Sequence, residues 1–427
     1  MFKSIKNFFS SLNPDIIVQA PARINLINPL DAVEGDYWMP SAAITGKENP
    51  LSVFVYIKTI KTNSKIKIYE SVKIDNELKM KIEQEETILK NISQIENKFT
   101  SELKLFYATI FRFYKTNSFF WEKFLEQNFE IGILTTIPRQ SGLGGSAAII
   151  IALIYAFSRY FNLYNNLSYL QDDEIPINKD IIAEMATKVE DIDLKITAGY
   201  ADRYLISRGG LSFCSYQGKL YHKEISNEPL AVYDRIDQTY DIHELPIIIC
   251  FSGVIHRSEG VHNKLRTSYL QNEQKILEHY KKLADISWKS RFALMKKDWK
   301  LLGEYFKENT RLMNEVMIDA GFKYGIGLAN NILIKLIEEH SEVYAAKLTG
   351  AGGGGCVFAL VNPEKINKVL EDWKRNLKEI IKNKEMFKNM FPSYPIEIRN
   401  ELKNAKFYTI NINQTGVKIL YMSVENE

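Results

Sequence analysis

Residues 136–157 carry the sequence TIPRQSGLGGSAAIIIALIYAF, in which a glycine-rich turn runs directly into a long apolar segment. The preceding residues 129–138, FEIGILTTIP, are rich in the apolar and β-branched side chains typical of strands. The following residues 147–161, AAIIIALIYAFSRYF, are apolar on nearly all sides, which predicts a helix buried over most of its surface. The stretch therefore predicts a strand, a glycine loop and a buried helix in succession.

The glycine loop has the features of a phosphate-binding site. Glycines accept positive φ and allow the backbone to approach a ligand closely. The loop ends at the first turn of the predicted helix, where unpaired N–H groups and the helix macrodipole favour an anion. A structural turn capped by Ser146 would use the same residues, and the loop lacks the lysine of a Walker A motif. The candidate phosphate contacts are Pro138, Gly142, Leu143, Gly144, Gly145, Ser146, Ala147 and Ala148.

A second glycine-rich segment, KLTGAGGGGCVFAL, occupies residues 347–360. Gly350, Gly352 and Gly355 have the G-x-G-x-x-G spacing, but the β-rich CVFALV that follows is not the helix of a dinucleotide-binding fingerprint. A loop with almost no side chains costs backbone entropy and gains little packing. We therefore interpret it as a close approach to a ligand rather than as an ordinary hairpin turn.

A third segment, APARINLINPLD at residues 20–31, predicts a strand followed by a loop. Arg23, Asn28 and Asp31 are its polar side chains. On its own this segment carries little information, because Arg23 equally suits a surface ion pair.

The composition limits the classes of partner. The chain has 55 basic and 52 acidic residues among 427, a net charge of +3, which gives no argument for nucleic acid or an anionic membrane as a partner. Its three cysteines are far apart, which excludes a disulfide framework and predicts a reducing, cytoplasmic location. No apolar run has the length of a membrane-spanning helix.

The length of the chain predicts two domains. The polar, weakly patterned residues 226–245 suggest a boundary, which divides the chain into 1–230 and 231–427. Predicted strands and helices mix in both parts without a regular βαβ alternation, which indicates the α+β class. Residues 51–70 predict a hairpin that turns at 62–64, and residues 209–225 predict another that turns at Gln217 and Gly218.

Taken in order, the three glycine and strand segments resemble motifs of the GHMP kinase superfamily, which includes galactokinases, homoserine kinases, mevalonate kinases and phosphomevalonate kinases. The matching stretches are APAR (20–23), PRQSGLGGSAA (138–148) and KLTGAGGGG (347–355). Within the superfamily the chain is most similar to the glucuronokinases. That similarity is carried by IPRQSGL (137–143), NPLD (28–31), GYADRYLISRGGLSF (199–213) and SGVIHRSEGVHNKLR (252–266).

This sequence departs from the family pattern at two places. The spacing from Arg23 to Asp31 is one residue shorter than in sugar kinases, and Gly145 stands where many relatives have serine.

The resemblance implies an α+β, two-domain GHMP kinase fold, with an N-terminal domain like the second domain of ribosomal protein S5 and a ferredoxin-like C-terminal domain. It implies transfer of a phosphoryl group from ATP, with Mg²⁺, to a sugar. D-glucuronate is the first candidate, with glucuronate 1-phosphate as product. A heptose-phosphate, galactose or arabinose kinase is the alternative within the class. A non-catalytic ATP- and sugar-binding sensor is the rival outside it. The expected assembly is a monomer or homodimer.

The resemblance also implies roles for individual residues. Asp202 is the expected base and Arg23 the cation that keeps it ionised, while Ser146 and Glu190 are the expected magnesium ligands. Asp191 and Asp193 are neighbouring carboxylates with the same chemistry.

For the acceptor, the expected contacts are Asn28, Asp31, Asp202, Arg203, Gly350, Gly352 and Gly353. A uronic acid needs a cation for its carboxylate, and the sequence does not choose among Arg139, Arg203, Arg257 and Arg266. The predicted hairpin at 51–70 is the one suggestion of an adenine pocket.

Overall fold

The computed structural model describes residues 2–27, 31–33, 37–74, 77–163, 177–216, 231–254 and 259–423. The strands of this part are β1 (Ile16–Asn25), β2 (Met39–Gly46), β3 (Ser52–Thr59), β4 (Lys65–Ile74), β5 (Glu77–Thr87), β6 (Phe129–Thr135), β7 (Leu211–Tyr216), β8 (Ala231–Asp234), β9 (Ile247–Phe251), β10 (Val343–Thr349), β11 (Cys356–Val361), β12 (Lys406–Ile412) and β13 (Lys418–Met422).

The α-helices are α1 (Phe2–Leu12), α2 (Ile92–Glu96), α3 (Lys104–Thr116), α4 (Ser118–Glu126), α5 (Gly145–Tyr160), α6 (Ile177–Lys188), α7 (Ala201–Arg208), α8 (Ile236–Thr239), α9 (Glu259–Leu270), α10 (Gln274–Met295), α11 (Trp299–Asp319), α12 (Leu328–Lys335), α13 (Ile366–Lys382), α14 (Lys384–Met390) and α15 (Ile398–Leu402). A π-helical turn, Val189–Asp193, continues α6. Of the helices in the described ranges, none is long and apolar enough to cross a membrane.

The described strands form one mixed sheet with the order β10-β11-β9-β12-β2-β1-β3-β6-β4-β5. Off this path, β13 pairs with β1, and β7 joins β2 to β8. Only the β4–β6 pair is parallel among the described strand pairs. Antiparallel sheets need no helical crossovers between neighbouring strands, so the arrangement agrees with the α+β class predicted from the sequence.

The predicted succession of strand, glycine loop and buried helix is confirmed. β6 ends at Thr135 and α5 begins at Gly145. Ile150, Ile151 and Leu153 of α5 are completely buried, and the helix packs against β1 and β3. Burial of each such side chain contributes roughly 1.5–3 kcal/mol, so α5 holds the preceding loop on a rigid base.

The predicted hairpin at 51–70 is wrong. β3 and β4 do occur, but β6 lies between them: Ile133 of β6 pairs with Val55 of β3 on one side and with Ile68 of β4 on the other. β4 instead forms its hairpin with β5. The local turn signal was genuine, but an apolar strand from later in the chain supplies backbone partners to both arms.

The sheet runs across the boundary predicted near residue 230. β12 pairs with β9 on one side and with β2 on the other, and β13 pairs with β1. The last part of the chain is thus built into the sheet of the first part. The division into 1–230 and 231–427 stays a prediction. The predicted turn at Gln217 and Gly218 lies outside the described residues, although β7 and β8 on either side of it pair antiparallel.

Candidate active site

A cavity of about 720 Å³ opens beside the glycine loop. Its walls come from the end of β1, the loop before α5, the π-helical turn, the residues that lead into α7, and the loop after β10. The three segments singled out in the sequence therefore meet at one place, although they are spread over more than three hundred positions.

The loop before α5 has the backbone that the sequence predicted. Gly142 and Gly144 have φ of +73° and +78°, and Gly144 is the N-cap of α5. Both line the cavity together with Gly145 and the exposed Ser146. Pro138 lines it as well. Leu143, Ala147 and Ala148 are completely buried, so any part they take in binding is through the backbone. Their ATP contacts stay predictions.

The second glycine loop packs against the first. A Cβ on Gly350 would lie 2.9 Å from the Cα of Gly142, and one on Gly355 would lie 2.7 Å from the carbonyl oxygen of Ser141. Real Cβ atoms essentially never come closer than 3.0 Å to such atoms. Backbone contact between the two loops therefore requires glycine at positions 350 and 355. The sequence analysis predicts a close approach at this loop as well, but to a ligand.

Gly350 and Ala351 line the cavity, but Gly352 and Gly353 are not among its lining residues. They pack against the residues before α12: a Cβ on Gly352 would lie 3.1 Å from the carbonyl oxygen of Ile326, and a Cβ on Gly327 would lie 2.7 Å from the Cα of Gly353. Of the three predicted glycines, the structure thus brings Gly350 to the cavity wall.

Arg23 joins the predicted base to the phosphate loop. Its Nε and Nη2 donate to the two carboxylate oxygens of Asp202, and its Nη1 donates to the carbonyl oxygen of Gly142. The backbone N–H of Arg23 donates to the carbonyl oxygen of Leu143 at 3.1 Å. Only 6% of Arg23 is exposed. Charge-assisted, bidentate hydrogen bonds of this kind fix the orientation of the guanidinium and of the carboxylate. The Asp202 carboxylate therefore has a defined position beside the loop.

A second pair lies behind the first. Nη2 of Arg203 donates to Oε2 of Glu190, Nη1 donates to the carbonyl oxygen of Gly199 at 3.0 Å, and Nη1 lies 3.7 Å from Asp202. Burial lowers the pKa of Arg203 to about 10, while the nearby Asp31 carboxylate favours its charged form. Positive and negative groups therefore alternate along the cavity wall, from Arg23 through Asp202 and Arg203 to Glu190.

The residues expected to hold magnesium fit a hard cation. The Glu190 carboxylate and the Ser146 hydroxyl line the same cavity, and both supply oxygen ligands. Each of the three carboxylates accepts from an arginine: Asp191 from Arg266 at 2.7 Å, Asp193 from Arg112 and Glu190 from Arg203. Glu190 is favoured because it lines the cavity, whereas Asp191 and Asp193 are not among its lining residues. In the described part of the chain no three His, Cys, Asp or Glu side chains form a metal-binding group, so a bound ion would need phosphate oxygens or water as further ligands.

Asp31 lines the cavity and is only 4% exposed. Its Oδ2 accepts from the backbone N–H of Ala201 at 2.8 Å, at the start of α7. A Cβ on Gly199 would lie 1.9 Å from that oxygen, so Gly199 is what allows the carboxylate to reach the helix. Asp31 therefore helps to position Asp202, one residue further along. Asn28, the other predicted sugar contact of this loop, lies outside the described residues.

The arginines proposed for a uronic carboxylate have different surroundings. Arg139 pairs with Glu83 of β5 at 2.7 Å on the rim of the cavity, and Arg203 pairs with Glu190. Arg266 donates to the carbonyl oxygens of Ala32 and Ala198, which line the cavity, and to Asp191, which does not. Arg257 lies outside the described residues. The sequence analysis did not single out His262 of α9, which lines the cavity. The signal was present, since His262 is four residues before Arg266 in the segment 252–266 that resembles the glucuronokinases.

Another part of the cavity wall is mainly apolar, although Glu83, Gln84 and Glu102 stand beside its apolar side chains. The 51–70 segment, which the sequence suggested for adenine, contributes one residue, Ile68, to the lining. Most of the apolar wall comes from residues outside that segment: Leu103, Leu105, Phe106, Ile133, Ile137 and Ile149. A pocket with an apolar part and a charged part suits a ligand with a flat base and a polyphosphate.

Two protein-family models match the chain. The GHMP kinases N terminal domain matches residues 107–210, and the GHMP kinases C terminal model matches residues 292–379. The first includes the phosphate loop, Glu190 and Asp202.

Curated relatives with different acceptors match to a similar degree. Probable glucuronokinase 2 of Arabidopsis thaliana is 29% identical over 250 residues, which are 58% of this chain and 61% of that protein. A mevalonate kinase of Thermococcus sibiricus is 29% identical over 243 residues, and a D-glycero-alpha-D-manno-heptose 7-phosphate kinase of Campylobacter jejuni is 23% identical over 243 residues. Both of these matches cover 56% of this chain. They cover 61% of the mevalonate kinase and 62% of the heptose 7-phosphate kinase. The chain thus spans about three fifths of the length of these relatives.

Solved structures share the fold over nearly the whole chain. Lactococcus lactis galactokinase complexed with galactose has a TM-score of 0.62 at 16% identity, covering 98% of this chain and 99% of that one. Methanococcus jannaschii mevalonate kinase has a TM-score of 0.57 at 19% identity, covering 94% and 99%. At such identities the likeness concerns the fold alone.

Proposed function

This chain carries the N-terminal and C-terminal domains of the GHMP kinases in the two-domain fold of that family, and we propose that it is an ATP-dependent sugar kinase. D-glucuronate, phosphorylated on its anomeric hydroxyl, is the first candidate acceptor. Heptose phosphates, galactose and arabinose are the alternatives. The proposed location is the cytoplasm, and the buried free thiols of Cys214, Cys250 and Cys356 agree with a reducing compartment. The proposed assembly is a monomer or homodimer.

The observation that carries the proposal is the contact of one guanidinium with two functional groups. Arg23 holds the Asp202 carboxylate and the Gly142 carbonyl of the phosphate loop together. A hydroxyl bound at Asp202 would therefore lie beside a phosphate bound at the loop. Phosphoryl transfer depends mainly on this kind of positioning and on charge neutralisation.

In the proposed reaction, the acceptor hydroxyl oxygen forms a bond to the γ-phosphorus while the bond from that phosphorus to the β–γ bridging oxygen breaks, leaving ADP. The hydroxyl proton passes to the Asp202 carboxylate. Arg23 offsets the negative charge that accumulates between the two reactants, and the backbone N–H groups at the start of α5 hold the phosphates. Glu190 and Ser146 would hold Mg²⁺, which supplies neutralisation of the phosphate charge.

The choice of glucuronate rests on similarity. Two glucuronokinases of Arabidopsis thaliana match at 29% and 28% identity, and the segments 199–213 and 252–266 resemble that group. Mevalonate kinases match equally well, so the acceptor has to be identified by experiment.

The test is release of ADP by the purified chain with Mg²⁺ and ATP, across sugars, uronic acids, sugar phosphates, mevalonate and homoserine. We expect the highest kcat/KM with glucuronate, and a far lower value with neutral glucose, because a site built for a carboxylate leaves a cation unpaired without it. A clear preference for mevalonate or homoserine would remove the sugar-kinase assignment. Binding of ATP and sugar with no ADP release for any acceptor would establish the sensor.

A further inference from the structure

Helix α9 forms part of the cavity wall at the acceptor end. It belongs to the second half of the chain, whereas the rest of this end, residues 31–32 and 196–199 with Asp202, belongs to the first half. His262 of α9 lines the cavity at this place and is half-buried. Arg266 follows His262 by four positions in the same helix, so it lies about one turn further along on the same face.

Arg266 ties this helix to three separate segments of the first half. Its Nε donates to the carbonyl oxygen of Ala32 at 3.0 Å, its Nη1 to Oδ1 of Asp191 at 2.7 Å, and its Nη2 to the carbonyl oxygen of Ala198 at 2.8 Å. Its side chain is 14% exposed and that of Asp191 is 2% exposed.

The Asp191 carboxylate contacts both Arg266 and the loop at 196–199. Its Oδ1 also accepts from the backbone N–H of Ala198 at 2.9 Å. The loop at 196–199 is therefore held from both sides, at Ala198 N by Asp191 and at Ala198 O by Arg266. This loop leads directly into α7, which carries Asp202, so whatever fixes it also fixes the acceptor end of the cavity.

We propose that α9 is the acceptor-recognition helix, with His262 as a specificity residue that hydrogen-bonds the acceptor and Arg266 as the positioning residue that holds His262 and the 196–199 loop in register. The proposal rests on the proposed kinase function. An imidazole has one donor and one acceptor when neutral and two donors when protonated, so it can bind a sugar hydroxyl or a carboxylate. The nucleotide end of the cavity has no part in this arrangement.

The test compares the variants His262→Ala and Arg266→Lys with the wild type in steady-state kinetics against ATP and against the best acceptor. Loss of a hydrogen bond to a partly buried polar group raises the acceptor KM by roughly ten- to a hundredfold, while the KM for ATP stays within about threefold. Lysine keeps the charge of Arg266 but cannot donate to three groups in one plane, so Arg266→Lys has the same selective effect.

Arg112→Lys is the matched control. Arg112 donates to both oxygens of Asp193, at 2.6 and 2.8 Å, and so ties α3 to the same π-helical turn, but it is not a lining residue of the cavity. We expect this variant to lower the thermal midpoint while leaving both KM values unchanged. If Arg112→Lys raises the acceptor KM as much as Arg266→Lys does, the effect of Arg266 is general destabilisation and the positioning role is overturned.

The outcomes separate this inference from the proposed function. A wild type that phosphorylates an acceptor, with His262→Ala unchanged in its acceptor KM, overturns the inference alone. A wild type that phosphorylates none of the panel overturns the kinase function and the inference with it. If Arg266→Lys fails to fold, His262→Ala still decides, because His262 is half-buried and its truncation leaves the contacts of Arg266 in place.

Discussion

Arg23 and Asp202 are 179 positions apart in the chain and meet through two parallel N–H···O contacts, while the same guanidinium reaches the carbonyl oxygen of Gly142. Because the guanidinium of Arg23 is planar and rigid, its contacts with Asp202 depend on its contact with Gly142. Displacing the phosphate loop would therefore displace the carboxylate as well.

Asp202→Asn should lower kcat by roughly 10²–10⁴-fold, because asparagine has the same shape but cannot accept the hydroxyl proton. Calorimetric binding of ATP and acceptor should change much less. Asp237→Asn is the control, since Asp237 forms a comparable buried pair with Arg235 and does not line the cavity. A loss in kcat of less than about tenfold would indicate that Asp202 positions the acceptor without acting as a base.

Gly144→Val should weaken ATP binding by at least roughly tenfold, since Gly144 has positive φ and an added Cβ would lie 3.0 Å from both the Cγ of Arg23 and the Cδ1 of Ile206. Gly260→Val is the matched control, because an added Cβ there would meet no atom within 4 Å and Gly260 does not line the cavity. Calorimetry with ATP distinguishes the two. Equal affinity for ATP in wild type and Gly144→Val would mean that the loop is only a turn.

Glu190→Gln should raise the Mg²⁺ concentration needed for half-maximal activity by about tenfold or more, since an amide oxygen is a weaker ligand than a carboxylate for a hard cation. Nucleotide binding without Mg²⁺ should change little. Glu184→Gln serves as the control: Glu184 is equally buried, accepts from Tyr204 at 2.7 Å and does not line the cavity. An unchanged Mg²⁺ requirement in Glu190→Gln would rule out Glu190 as a metal ligand.

Asp180 should make stability depend on pH. Burial raises its pKa to about 6 from the ordinary 3.8, against the opposing effect of Arg208, and Glu184 adds to the rise. The folded protein therefore binds this proton more tightly than the unfolded chain, so the contribution of Asp180 to stability is lost as the pH rises from about 4 to about 6.

In Asp180→Asn this loss is absent, and the wild type should lose about 1–2 kcal/mol of unfolding free energy relative to the variant between about pH 5 and about pH 7.5. Denaturant unfolding of both proteins at the two pH values measures the difference. Parallel changes in the two proteins would show that Asp180 is ionised in both the folded and the unfolded states over this range.

The part of the site that could be predicted from the sequence is the part encoded by neighbouring residues. The strand, glycine loop and buried helix around Gly144 follow one another directly, so their local signals add up. The pairing of Arg23 with Asp202 was expected only through the resemblance, since residues so far apart carry no common local pattern.

Contacts between distant segments were beyond prediction from local pattern. β6 lies between β3 and β4, and a turn signal at 62–64 says nothing of a strand that begins at Phe129. The contacts of Arg266 with Ala32, Asp191 and Ala198 likewise join four regions of the chain. The glycines at 350 and 355 were correctly expected to need close approach, but the approaching group is the other loop, which only the assembled fold reveals.

The place of β12 and β13 in the sheet has a consequence for synthesis of the chain. β1 and β2 leave the ribosome early, yet the strands that cover parts of them, β13 and β12, are made only after residue 405. Until then the nascent chain holds unpaired strand edges, which favour association between chains. Such long-range pairing also slows folding. A ribosome that stalls before it has translated β12 and β13 would leave a polypeptide that carries every predicted catalytic residue with its central sheet unfinished.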